Sequence, residues 1–131
     1  EFIPFNFQYN LSFVLNTFRK AGVPATVLTI PSRLAGDPLK LTPDDIRTIT
    51  LPDYMDDDLS AFIAIYRSYN AIIRAVALES GATLIDAAEK FERANGVGSD
   101  YFTDTFDLSP AGCAYLGDIV ARGLSERGIP V

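Results

Sequence analysis

The chain has 131 residues, the size of one domain by the usual allowance of about 100–200 residues each. Its composition, 48% hydrophobic and 21% charged, is that of a globular protein and excludes a disordered or collagen-like chain. Seventeen acidic and eleven basic residues give a net charge of −6, which argues against nucleic acid or an anionic membrane surface as a partner. No apolar run approaches the roughly 18 residues of a membrane span, so we expect none.

The absence of histidine excludes a Ser-His-Asp triad, a Cys-His pair or a histidine-ligated metal built from this chain alone. The single cysteine, Cys113, excludes an internal disulfide, and we predict that it is a small apolar residue in a helix. We predict no metal and no cofactor. The first residues carry neither a basic segment nor a cleavage site, and the sequence reads as one entered part-way through, so they do not indicate the compartment.

In chain order, helical spacing of apolar residues first predicts an amphipathic helix that Gly22 and Pro24 end. Its apolar face comprises Phe7, Leu11, Val14, Leu15 and Phe18. Residues 25–30 are apolar and β-branched, as in a buried parallel strand, and Pro31 ends them. Residues 32–58 are polar and proline-rich, with one helical turn expected where Thr42 and Pro43 provide capping signals. A connection of this length is usually functional.

The clearest element is a long helix from Leu59 to about Ser80, closed by Gly81. Its predicted apolar stripe is Phe62, Ile65, Tyr66, Tyr69, Ile72, Ile73 and Val76. A second buried strand follows at 82–86, and then a short helix that ends near Asn95. Ser109 and Pro110 open a final helix, which Gly128 terminates. The apolar face of that helix is Leu116, Ile119, Val120 and Leu124.

This order of helices and strands predicts an α/β class with a doubly wound, mostly parallel sheet. Only two strands are evident, too few to pack three amphipathic helices, which suggests half of a domain. An unpaired apolar edge on the strand at 25–30 invites association. We therefore expect a second chain or a homo-oligomer.

The most interesting polar cluster is Asp100, Asp104 and Asp107, which precedes the last helix. In open α/β sheets, ligands bind beyond the carboxyl ends of the strands, where this loop would lie. The cluster lacks the spacing and glycine of an EF-hand, and Asp104-Thr105-Phe106 lacks the glycine of an aspartic-protease motif. Loop solvation and helix capping explain the same acids without a ligand, and residues alone favour that interpretation.

Other polar residues are weaker candidates. We interpret Asp86, with Glu89 three residues later, as a helix cap and the acidic run 53–58 as a solvated start to the long helix. Ser32 follows a strand, but no G-x-S-x-G elbow surrounds it. Arg33 could bind an anion, although a surface role is commoner.

Three segments together resemble the carboxyl-terminal half of the SGNH (GDSL-type) hydrolases. They are residues 69–77 (YNAIIRAVA), 81–86 (GATLID) and 101–112 (YFTDTFDLSPAG). In that family a long helix leads into the last strand, and a D-x-x-H element precedes a helix that opens with L-S/T-P-x-G. The resemblance implies a three-layer αβα, flavodoxin-like fold, to which residues 1–131 contribute the last two strands of the parallel sheet and the flanking helices.

The resemblance assigns Asp104 to the aspartate that orients the catalytic histidine, and Asp107 to the histidine position. The family's G-D-S nucleophile block, glycine block and G-x-N-D block have no counterpart here. A carboxylate with a pKa near 3.9 replaces an imidazole near 6.5, a loss of roughly 3.5 kcal/mol in proton affinity. The Asp104–Asp107 pair is therefore a poor general base for a serine.

The leading hypothesis is an SGNH-like serine ester hydrolase acting on a small acyl ester, with a second polypeptide supplying the amino-terminal half of the fold. The 32–58 loop would shape the substrate mouth. The alternative is a catalytically inactive SGNH-like binding or assembly subunit. A third, flavodoxin-type ligand-binding reading lacks a glycine-rich phosphate loop. A secreted or periplasmic location rests on the family resemblance alone.

Overall fold

The computed structural model describes residues 4–34, 41–51, 58–95 and 100–129. Five helices and two strands lie within these ranges. They are α1 Phe5–Lys20, β1 Thr26–Leu28, α2 Pro43–Thr48, α3 Leu59–Ser80, β2 Thr83–Ile85, α4 Ala87–Asn95 and α5 Pro110–Ser125. Each matches a predicted helix, turn or strand, although both strands are shorter than predicted.

The described sheet has two parallel strands, with Thr26 opposite Thr83 and Leu28 opposite Ile85. The connection from β1 to β2 runs through α3, which packs on both strands and carries α1 against its side. This is the α/β class that the order of elements predicts. Because the carboxyl ends of both parallel strands lie at one edge, the residues that follow Leu28 and Ile85 come close together.

Local signals account for the ends of the helices. Asp58 accepts a hydrogen bond from the Ala61 N–H at 2.9 Å and caps α3, while Ser109 accepts one from the Gly112 N–H at 3.1 Å and caps α5. Gly81, just after α3, adopts a left-handed conformation with φ of 71° that side-chain-bearing residues rarely take. The predicted cap of α5 is confirmed, and α3 is capped by the last residue of the acidic run that was predicted to begin it.

The buried face of α3 differs from the predicted stripe. Its buried residues are Ile63, Tyr66, Asn70, Ile73, Val76, Ala77 and Ser80. Phe62, Ile65, Tyr69 and Ile72 are only half-buried. The prediction followed the most apolar residues, whereas the fold turns toward the strands a face that includes the polar Asn70 and Ser80. The buried Asn70 amide is hydrogen-bonded to the main chain of Ile30, beyond the end of β1.

The helix α1 is amphipathic as predicted, but its buried face is narrow. Leu15 is buried, and Phe7 stacks edge-on against Tyr69 of α3 with ring centroids 4.8 Å apart. Val14 and Phe18, predicted for the apolar face, are exposed. Cys113 lies on α5, as predicted for a helix, and its side chain is exposed.

Two clusters of buried apolar side chains can be traced in the described part of the chain. One joins β2, α4 and α5 around four buried side chains, Ile85, Phe91, Phe102 and Ile119, and includes the predicted apolar face of α5. The other joins the start of α3 to Leu34 and the half-buried Ile49. Phe102, at the start of the segment 102–108, belongs to the first cluster. Phe106, in the same segment, contacts Phe62 of α3, which packs against the second cluster.

Within the described ranges, α3 is the one helix that is long and apolar enough for a membrane span by length and composition. It is a weak candidate, because a core helix of a globular domain passes the same test. Its contacts with α1 and both strands are those of such a core helix.

Candidate functional site

The carboxyl ends of β1 and β2 are joined by a network around Asp86. Its carboxylate accepts two hydrogen bonds from the Arg74 guanidinium, at 2.6 and 3.0 Å, and one from the Thr29 hydroxyl at 2.8 Å. The Glu89 N–H donates to the same carboxylate at 3.2 Å, and the Ala88 N–H donates to the Thr29 hydroxyl. The predicted role of Asp86 as the cap of α4 is therefore confirmed.

Partial burial by itself would raise the pKa of Asp86. The hydrogen bonds from Arg74, Thr29 and the Glu89 N–H outweigh burial, so the pKa of this carboxyl lies below its ordinary value. Asp86 is thus an ionised structural group, with its oxygens directed at protein donors.

Ile30, two residues beyond the end of β1, is held by side chains of α3. The Asn70 amide accepts from the Ile30 N–H at 2.7 Å and donates to the Ile30 carbonyl at 3.0 Å. The Tyr66 hydroxyl donates to the same carbonyl at 2.8 Å. Burial raises the pKa of Tyr66 above its ordinary value, which keeps this donor protonated. Two residues of α3 thereby fix the direction in which the chain leaves the sheet.

Thr105 attaches the loop before α5 to this strand end. Its carbonyl accepts from the Ser32 hydroxyl at 2.7 Å and from the Arg33 N–H at 3.0 Å. Its hydroxyl accepts from the Thr50 N–H at 2.8 Å. Ser32 is buried and also accepts from the Leu34 N–H, so its hydroxyl is a structural group. The Arg33 guanidinium donates to the Phe102 carbonyl at 2.6 Å, which gives Arg33 a structural role as well.

Residues 102–108, hereafter the carboxylate loop, form a closed turn. Phe102 and Leu108 form an antiparallel bridge, and the Thr103 N–H donates to the Asp107 carbonyl at 2.8 Å. The Asp104 carboxylate accepts from the Thr105 N–H and, at a long 3.4 Å, from the Thr50 hydroxyl. The Thr105 N–H and hydroxyl, with smaller effects of Thr50 and Arg33, hold the pKa of Asp104 below its ordinary value.

The structure thus places Asp104 and Asp107 on one short loop in different surroundings. Asp104 is partly exposed and bonded by its carboxylate, whereas Asp107 is exposed and is bonded within the loop through its main-chain carbonyl. Asp104 can accept a hydrogen bond from a further donor and remain ionised at neutral pH. The exposed Asp107 carboxylate can meet a ligand or a partner.

The remaining acidic candidates contribute no metal centre in the described residues. Asp100 is exposed, and its carbonyl accepts from the Ser109 hydroxyl at 2.6 Å. Asp58 caps α3, while the predicted acidic residues at 53, 56 and 57 lie outside the described residues. No group of three or more candidate metal ligands occurs in the ranges that the structure describes.

A groove of about 410 Å³ lies elsewhere, between α4 and α5. Tyr115, Ile119 and Gly123 contribute to its lining together with three acidic and three basic side chains. Neither the carboxylate loop nor the Asp86 network lines it. Small-molecule pockets are mostly apolar with few polar groups, so the six charged side chains of this groove make it a poor site for an apolar ligand.

Sequence reasoning missed the residues that build the carboxyl end: Thr29, Thr50, Tyr66, Asn70 and Thr105. One local signal was available, because Asn70 interrupts an apolar helical stripe, and buried amides nearly always have a specific partner.

Comparisons with family models, curated proteins and solved structures found no match. A function for the chain therefore has to be inferred from its own residues.

Proposed function

We propose that this chain is the carboxyl-terminal part of an SGNH-like serine ester hydrolase, in which Asp104 orients the group that receives the serine proton. The observation that carries this proposal is the setting of Asp104. It lies on a loop tied to the carboxyl end of β1, and hydrogen bonds from Thr105 keep it ionised. An ionised, rigidly held acceptor is what an orienting aspartate requires.

Asp107 occupies the position of the base in this proposal. A carboxylate is a weaker proton acceptor than an imidazole, by roughly 3.5 kcal/mol of proton affinity on reference values. The nucleophilic serine and the donors that stabilise the oxyanion come from a second polypeptide, which completes the sheet beside β1. In this chain Ser32 is unsuitable as the nucleophile because its hydroxyl is buried and bonded to Thr105.

The test of the assignment is a gain of function at position 107. In the protein assembled with its partner chain, Asp107→His is expected to raise ester turnover by about a hundredfold, the range that a positioned general base supplies. Asp107→Asn serves as the matched control without a base and gives no gain. Adding Asp104→Asn to Asp107→His removes most of the gain, because the imidazole loses its orienting acceptor.

The first measurement is native mass spectrometry of the purified protein with labelling by a fluorophosphonate. A second chain that carries the label on a serine supports the hydrolase. A folded complex in which Asp107→His brings no increase in turnover contradicts the assignment of position 107.

The second candidate is a catalytically inactive binding or assembly subunit. The absence of histidine from the whole sequence and the carboxylate at position 107 favour it. It predicts a saturable ligand that is not hydrolysed and is indifferent to serine-directed inhibitors. Fluorophosphonate labelling of a co-purifying chain excludes it.

A further inference from the structure

The exposed side of α1 carries three aromatic side chains at equal spacing. Phe5, Tyr9 and Phe13 are 69%, 63% and 64% exposed, whereas Leu15 of the same helix is buried. Residues four apart are neighbours on a helix surface, so the three rings form one continuous row about 12 Å long. We call this row the aromatic ridge. Single exposed rings are common on protein surfaces, whereas contiguous ones mark interaction surfaces.

The ridge lies in an uncharged stretch of an acidic chain. Residues 4–18 contain no charged side chain, although the whole chain has a net charge of −6. Two copies of an acidic chain repel each other, and an uncharged helix is where they can approach. A helix that binds a membrane surface would carry lysines and arginines along its polar face, whereas Arg19 and Lys20 occur only in the last turn of α1. The ridge therefore suits an uncharged protein surface such as its own.

The order of the rings along the ridge is the same from either end. Phe5 and Phe13 each lie four residues from Tyr9, so a two-fold axis at Tyr9 places Phe5 of one copy against Phe13 of the other. A two-fold interface requires this kind of self-complementary surface. Ridges of residues spaced by four also pack together in the commonest class of helix pairs. We infer that the aromatic ridge pairs two copies of this chain, with their α1 helices antiparallel about a two-fold axis at Tyr9.

The size of the ridge sets the strength of this contact. A buried aromatic side chain removes roughly 150–250 Å² from solvent, so three rings that are about two-thirds exposed offer roughly 400 Å² per copy. Two copies then bury roughly 800 Å², less than the roughly 1,200–2,000 Å² of a stable interface. The pairing is therefore weak and reversible, with an expected Kd of about 100 µM. It does not rest on the proposed hydrolase function.

The test is a charge exchange on the two-fold axis, with self-association of the full chain measured by sedimentation equilibrium from low to high micromolar concentration. Tyr9→Glu and Tyr9→Lys each bring two like charges together and are expected to weaken pairing at least about tenfold. An equimolar mixture of the two variants is expected to pair again, because opposite charges then meet. Leu78→Glu, at an 85% exposed apolar residue of α3, is the matched control and leaves association unchanged.

Recovery of pairing in the mixture supports two copies related by the axis, since a different partner would be lost from both variants and not regained. A wild-type chain that stays monomeric overturns the inference. So does a mixture that stays unpaired while far-UV circular dichroism shows both variants folded. Equal weakening by Leu78→Glu would trace association to net charge and contradict the ridge. Association through the edge of β1 is common to all the proteins compared, so a dimer indifferent to Tyr9 also contradicts it.

Discussion

Asp86 is the residue on which the two strand ends depend most. Its carboxylate accepts four hydrogen bonds and its partner Thr29 accepts a fifth, and Asp86→Asn loses the charge that pairs with Arg74. We expect this substitution to lower the free energy of unfolding by about 2 kcal/mol at pH 7. The matched control is Glu89→Gln, which breaks the exposed pair with Arg93 and is expected to cost less than about 0.5 kcal/mol. Urea denaturation measures both.

The pH dependence of that difference tests its electrostatic cause. The folded pKa of Asp86 lies below its unfolded value of about 3.9, so its contribution is complete above that pH. As the pH falls through the folded pKa, the carboxylate is protonated in both states and the contribution disappears. The difference between wild type and Asp86→Asn should therefore shrink between pH 5 and pH 2, and an undiminished difference at the acid end would contradict the role of charge.

At the level of elements, the start of α5 explains why a glycine stands in its first turn. A Cβ on Gly112 would overlap the Tyr101 carbonyl oxygen and lie 3.1 Å from the Leu108 side chain. Gly112→Ala is therefore expected to destabilise the protein by about 1–3 kcal/mol despite the better helix propensity of alanine. Thermal unfolding followed by circular dichroism measures the loss.

Gly117 provides the control on the same helix. A Cβ there meets nothing within 4 Å, so Gly117→Ala gains helix propensity without a clash. We expect it to raise the free energy of unfolding by about 0.5–1 kcal/mol. If both alanines were stabilising, the close packing of the carboxylate loop on α5 would be wrong.

The helices and strands were predictable because their signals are local. Apolar spacing, the caps Asp58 and Ser109, and the glycines after the helices lie within a few residues of what they determine. The carboxyl-end network was not predictable in this way. Thr29 and Asp86 are 57 residues apart, and Ser32 and Thr105 are 73 apart. Only the pairing of the strands decides which polar side chains meet, and residue patterns do not contain that information.

The candidate site was predictable in part for the same reason. Asp104 and Asp107 stood out by sequence, and the expectation that this loop lies beyond the strand ends agrees with the bonds from Ser32 and Arg33 to Thr105. What sets the two aspartates apart is the donor set around Asp104, which includes Thr50 from a distant segment. The ring contacts of Phe106 with Phe62 and Tyr66 of α3 were not predictable either, because these residues lie far apart in the sequence.

At the scale of the whole molecule, the open question is what pairs with the outer edge of β1. The Thr83 N–H donates to the Ala25 carbonyl and the Thr29 N–H donates to the Ile85 carbonyl, so alternate residues of β1 face β2. The peptide groups of Thr26 and Leu28 then face outward, and among the described residues no other strand pairs with them. The next outward-facing N–H and carbonyl, those of Ile30, are hydrogen-bonded to the Asn70 side chain. An added strand therefore cannot pair with Ile30.

We predict that an added strand, from a partner chain or a second copy, pairs with Thr26 and Leu28. Native mass spectrometry should show a species heavier than the 14.3 kDa chain. Hydrogen exchange by NMR should then show protected Thr26 and Leu28 amides that become exposed on dilution, because edge amides are protected only while a neighbour covers them. The Thr29 amide, bonded to Ile85, and the Ile30 amide, bonded to Asn70, are the internal controls and should stay protected in both states. Association that leaves Thr26 and Leu28 exchanging freely would place the interface on another surface and remove the edge of β1 as the point where the fold is completed.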